Sequence, residues 1–260
     1  MDELIIVKNE GYAEYEELLL KRDNVRKEAG LYEKAYIAKF GDMIVAIFEK
    51  KIECIKKKKS ISYIQAKINR GESIDTDALE KYIQEQTAEY NEKLLDMIRE
   101  NEEAQRGKTL TEKTIKTIKR LYHKLAKLIH PDINPITNED ERLKNLWNMV
   151  VVSYNHNDLD ELEEAEILIN HVLEEMQLDI MEIEIPDIDE KIARVKEEIY
   201  QIMENNPYQY KYLLENPDAV SKKEKELDEE YKNYCNYEKE LDEILNRLTE
   251  SGAKFVWKMN

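Results

Sequence analysis

Apolar residues recur three and four positions apart along nearly the whole chain, the period of helices that bury one face. From about Tyr12 to Arg70 the stripe runs through Leu18, Leu19, Val25, Tyr36, Ile37, Phe40, Ile44, Ile47, Phe48, Ile52 and Ile55. Gly30 and Gly41 are its only candidate breaks, so the stretch predicts two helices, or one with a kink. After the stop signal Asn69-Arg70-Gly71-Glu72-Ser73, a helix from about Thr76 to Ala104 follows, capped by Asp75, Thr76 or Asp77. Two long helices joined by a polar turn predict an antiparallel hairpin, because each apolar stripe needs a cover.

A helix capped by Thr109 or Thr111 then places Ile115, Ile118, Leu121, Tyr122, Leu125, Leu128 and Ile129 on one face. It must end at Pro131, which lacks the amide hydrogen and drives His130 out of helical geometry. A second helix from about Asn138 to Tyr154 turns Leu143, Leu146, Trp147 and Val150 inward, and a third runs from Leu159 to about Met176. Asp179 to Pro186 alternates as a short extended segment does. Helices over Asp187–Asn205 and Val220–Glu250, with Asn206-Pro207 and Asn216-Pro217 between them, predict an antiparallel coiled-coil hairpin, and Phe255, Val256 and Trp257 a docked terminus. The fold class expected is all-α, in three parts: an N-terminal helical arm over 1–108, a central module over 109–177 and a C-terminal hairpin over 178–260.

Composition agrees. Of 260 residues 42% are apolar and 37% charged, with 6 Gly and 5 Pro, too little turn chemistry for a sandwich or a nucleotide-binding sheet. The net charge of -17 argues against nucleic acid and anionic membranes as partners, since phosphate affinity comes from Lys and Arg. Acidic neighbours make the Lys56–Lys59 run a solvated helix face. Met1–Glu10 lacks the basic start of a leader, no stretch approaches the roughly 18 apolar residues of a membrane span, and Cys54 and Cys235 do not form a disulfide framework. A cytoplasmic chain is expected.

Charge changes the picture at one place. Between Thr111 and Pro135 six Lys or Arg face two acids, whereas residues 157–190 hold 14 acids and no Lys or Arg. A basic face in an acidic chain suits an acidic protein partner, and the acidic stretch could fold back to compete for it. The face leads into His130-Pro131-Asp132, a stiff polar loop that loses little entropy on docking.

The stretch Leu121–Asn134, LYHKLAKLIHPDIN, followed by a helix carrying Trp147, Val150, Ser153 and Tyr154, resembles the J-domain of DnaJ-type co-chaperones over Thr109 to Leu162. That resemblance implies a helical module that recruits a DnaK-class heat-shock chaperone and stimulates its ATP hydrolysis. His130, Pro131 and Asp132 would form the stimulating loop, with Lys119, Tyr122, His123, Lys124 and Asn134 as further partner-facing positions. The chain departs from the family pattern at His123 and Ile133, where basic residues are usual. It also lacks the short first helix before Thr109, whose packing place the stretch Leu94–Ile98 would take. No Gly/Phe-rich linker or zinc motif follows.

The flanking helices would bind a client, a second protein or another copy of the chain. The rival reading is a non-catalytic coiled-coil scaffold in which the J-like module only docks or supports. No glycine-rich phosphate loop, GxSxG elbow or HExxH is present, and His156 and His171 lack metal-ligand spacing, so neither enzyme activity nor a cofactor or metal is expected.

Overall fold

The computed structural model describes residues 5–7, 10–106, 111–176, 181–183, 185–250 and 255–256. The fold is all-α. Among the described residues eight helices occur: α1 (Tyr12–Asn69), α2 (Thr76–Gln105), α3 (Glu112–Ile129), α4 (Glu141–His156), α5 (Leu159–Glu175), α6 (Ile188–Glu204), α7 (Tyr210–Glu215) and α8 (Pro217–Glu250). Two short parallel ladders accompany them. β1 (Ile5–Val7) pairs with β3 (Met181–Ile183), inside the expected extended segment, and β2 (Ile74–Asp75) pairs with β4 (Phe255–Val256). The expected docking of Trp257 lies outside the described residues.

The chain folds as two compact units, and they are not the three consecutive parts of the sequence reading. Unit 1 comprises Met1–Tyr32 and Lys108–Gln209, and unit 2 comprises Glu33–Gly107 and Tyr210–Asn260. The reason is α1, one uninterrupted helix of 58 residues where a break at Gly30 or Gly41 was conceivable. A Gly costs a helix interior only about 1 kcal/mol against Ala, far too little to break a stripe covered by other helices.

In unit 1, α3, α4 and α5 close one core around Ile118, Tyr122, Leu125, Ile129, Leu143, Val150, Tyr154, Leu162 and Ile169, and Leu20 of α1 belongs to it. This core is therefore covered by Leu20 of α1, and not by Leu94–Ile98, which lie on α2 in unit 2. A second core joins Tyr15 and Leu19 of α1 to Ile188, Ile192, Val195 and Ile199 of α6, with Ile133 between them.

In unit 2, α2 returns along α1 as the expected antiparallel hairpin: Asn101 reaches Asp42 at 2.7 Å, Gln86 meets Lys59 at 2.8 Å, and the rings of Tyr82 and Tyr63 lie 5.2 Å apart. The helix α8 runs parallel to α1, with Lys39–Glu224 at 2.6 Å, Lys50–Glu238 at 2.8 Å and Lys57–Asp242 at 2.6 Å, over a core of Phe40, Ile47 and Leu227. The antiparallel hairpin expected for 178–260 is thus replaced by two separate pairings, α6 with one stretch of α1 and α8 with another. Each seam is covered by α1, a longer apolar surface than either could offer the other.

No helix among the described residues is long and apolar enough to cross a membrane.

Candidate functional site: the His-Pro-Asp turn

The turn is built by its own side chains. Helix α3 starts at Thr111, whose hydroxyl accepts from the Thr114 amide at 3.2 Å, and ends at His130, which adopts extended geometry (φ -63°, ψ 127°) ahead of Pro131. The Asp132 amide donates to His130 Nδ1 at 3.0 Å, and the His130 carbonyl accepts from the amides of Ile133 and Asn134 at 2.9 and 2.7 Å. Nδ1 is therefore an acceptor, and the proton of the neutral ring sits on Nε2. Asn134 completes the turn: its amide nitrogen donates to the Leu128 carbonyl at 2.9 Å, and its oxygen accepts from Ile136 at 3.2 Å, opening the 3-10 turn Pro135–Asn138. Helix α4 starts three residues later than expected, capped by Asp140, and Asn138 donates to the Pro131 carbonyl at 3.1 Å.

Aromatic rings back the turn. Tyr122 and Tyr154 stack at 3.8 Å, and Trp147 meets His130 edge-on at 4.7 Å. The Tyr122 side chain is 2% exposed and His130 4%. Burial pushes the His130 pKa down, against the pull of Asp23 and Asp132, so the ring is neutral at pH 7. Burial also pushes the Tyr122 hydroxyl well above its ordinary value, reinforced by Asp23.

The partners of these groups come from α1, which the sequence reading did not associate with the turn. Asp23 accepts the Tyr122 hydroxyl at 2.8 Å and lies 3.7 Å from His130 Nε2. Asn24 accepts the Tyr154 hydroxyl at 2.7 Å and lies 3.0 Å from the His123 ring. Arg22, only 11% exposed, stands among Asp23 at 3.1 Å, Glu198 of α6 at 3.6 Å and Asp132 at 3.8 Å. Lys27 lies over the Tyr154 ring at 3.6 Å, and burial together with nearby Lys119 lowers its pKa to about 8. One sequence signal was readable: Asp23-Asn24 are poor helix formers in the interior of a long helix, where such residues need side-chain partners.

The eight sequence-derived site residues now divide. His130, Pro131, Asp132, Tyr122 and His123 gather beside α1, five residues on or next to one face. Asn134 is buried and clamps the turn from inside. Lys124 is exposed and pairs with Glu166 of α5, so one contact from the acidic stretch to the basic helix does form. Lys119 is exposed, as are Lys113, Lys116 and Arg120.

The two departures from the J-domain pattern have structural reasons. Ile133 is fully buried in the α1–α6 core, where a cation would be stranded. His123 is half-buried against Asn24, and burial, with Lys119 and Lys127 nearby, lowers its pKa, so the position carries a neutral ring.

Between α1 and the turn lies a cleft of ≈ 290 Å³ lined by Arg22, Arg26, His130, Asp132, Trp147 and Tyr154 among others. Both ring nitrogens of His130 face protein groups, the Asp132 amide and Asp23. Among the described residues no group of three or more His, Cys, Asp or Glu is placed to hold a metal.

The chain matches no protein-family model, no curated protein and no solved structure.

Proposed function

We propose that this chain is a cytoplasmic J-domain co-chaperone that recruits a DnaK-class heat-shock chaperone and stimulates its ATP hydrolysis, while its flanking helices bind a client or a second protein. The observation that carries the reading is the His-Pro-Asp turn at the end of a basic helix, locked by the hydrogen bond from the Asp132 amide to His130 and leading into a second helix packed on the first. The side chain of Asp132 is 49% exposed and Pro131 partly so, and Lys119 and Lys124 extend the polar surface along α3. A rigid acidic tip beside a row of cations supports docking by charge complementarity, in which preorganisation keeps the entropic cost low.

Single-turnover ATP hydrolysis by the host's DnaK-class chaperone tests this. The protein should accelerate it, and His130→Gln and Asp132→Asn should each abolish the acceleration. Because His130 is buried, Asp132→Asn at the exposed tip is the cleaner variant, with helix content checked by circular dichroism. Absence of acceleration by the wild type and by the opened variants described below overturns the reading.

A second reading, a scaffold whose J-like module serves only as a docking or structural piece, is favoured by the burial of Tyr122 and His130 beneath α1. A scaffold would retain its partners in a pull-down after Asp132→Asn and would associate with no chaperone in a nucleotide-dependent way.

A further inference from the structure

Four of the residues that a J-like module would present to its chaperone, Tyr122, His123, His130 and Asp132, already face one segment of this same chain. Asp23 holds the Tyr122 hydroxyl and faces His130; Asn24 lies against His123 and accepts from Tyr154; Arg22 faces Asp132. Tyr15, Lys191 and Arg194 line the pocket on the other side of Asp132, together with Arg22 and Glu198. Resting on the co-chaperone reading above, we infer that residues Arg22–Lys27 of α1 form an internal lid over the docking face, an autoinhibitory contact that the chaperone must displace.

Three features make this face suited to opening. The contacts that Arg22, Asp23 and Asn24 make to it are polar, whereas Leu20 and Val25 beside them hold α1 in apolar clusters, so what opens is the side-chain layer and not the helix. Hydrogen bonds and ion pairs between Arg, Asp, Asn, Tyr and His exchange for water or for a partner's groups at small net cost, whereas an apolar seam would not.

Arg22 also has two acidic partners in different elements, Asp132 in the turn and Glu198 in α6, at nearly equal distances. On opening, the guanidinium keeps Glu198 and Asp132 is released, so neither state strands a buried cation. The arrangement is a two-position switch of the kind a ligand can bias.

Finally, the closed state carries a built-in cost. Lys27 is half-buried over Tyr154 with the ammonium of Lys119 close enough to disfavour its charge. A partner that draws the Lys27 side chain off the Tyr154 ring, away from Lys119, relieves that repulsion.

The test uses the full chain. Arg22→Ala removes the contact to Asp132, and Asp23→Asn keeps the acceptor for Tyr122 while removing the charge that faces His130. Each should lower the concentration of protein needed for half-maximal stimulation of the chaperone's single-turnover hydrolysis by about threefold, the scale of one partly exposed ion pair. Hydrogen exchange at the amides of Asp132, Ile133 and Asn134 should quicken in parallel. Arg22→Lys, which retains the cation, should stay near the wild type, and adding Asp132→Asn to Arg22→Ala should erase the gain.

If Arg22→Ala fails to fold, the near-isosteric Asp23→Asn gives the answer. Equal stimulation by wild type and both variants, with unchanged exchange, overturns the lid and leaves the co-chaperone reading standing. Faster exchange in the variants with no stimulation by any form overturns the co-chaperone reading, and the lid's regulatory role with it.

Discussion

At the scale of single residues, the turn is a set of groups whose protonation is set by burial. The pKa values of His123 and His130 are both lowered, so the folded state takes up their protons less readily than the unfolded chain, whose histidines titrate near about 6.5. Their contribution to stability is complete above that pH and is lost as pH falls through the folded values. Lys27 behaves alike at the alkaline end: its pKa is lowered to about 8 from the ordinary 10.5, so its penalty is full below about 8 and is relieved as pH rises toward the unfolded value. The melting temperature of unit 1 should therefore fall between pH 7 and pH 5.5 and rise between pH 8 and pH 10. His123→Gln should flatten the acidic limb, and Lys27→Met the alkaline one. Calorimetry across that range checks both signs, and an unchanged acidic slope in His123→Gln contradicts the assignment.

At the scale of elements, α1 is the unexpected feature, and its two glycines separate local from tertiary causes. A methyl group added at Gly30 would meet nothing within 4 Å, so Gly30→Ala should stabilise the protein by about 0.5–1 kcal/mol through helix propensity alone. At Gly41 the added carbon would come within 2.1 Å of the Asn101 side-chain oxygen and 2.8 Å of its Cγ, in a buried contact where Asn101 donates to Asp42. Gly41→Ala should displace Asn101 and destabilise by about 1–3 kcal/mol in spite of its better propensity. Urea unfolding of the two variants gives opposite signs if Gly41 exists for the close approach of α1 and α2, and the same sign if it does not.

At the scale of the whole molecule, the two units are assembled from distant parts of the chain. Unit 1 needs Leu20 for the core of α3, α4 and α5, and Tyr15 and Leu19 to cover Ile133. A fragment limited to residues 109–177 would leave Ile133 without its cover, at roughly 1.5–3 kcal/mol for a fully buried large side chain, and the Tyr122 hydroxyl without Asp23. It should melt well below a version carrying residues 11–32 on a flexible linker, a difference readable by circular dichroism. Equal melting temperatures would mean that α1 adds no cover to the module.

The helical class, the α1–α2 hairpin, the caps at Asp75 and Thr111, and the end of α3 before Pro131 were all legible in the sequence. Each depends on residues within about one turn of one another or on the period of one stripe. Ile133 and His123 were visible as departures from a pattern, and their cause was not. That cause lies in Leu19, Asn24 and Ile192, far away in the chain, which bury the one and half-bury the other. The same holds for the choice of cover. Periodicity shows that α6 and α8 each carry an apolar seam, but any matching seam would satisfy it, and the long stripe of α1 competes with the hairpin they could have made. Only the folded chain brings Arg22, Asp23 and Asn24 onto His130-Pro131-Asp132, because ion pairs and hydrogen bonds between side chains distant in sequence leave no period and no spacing to read.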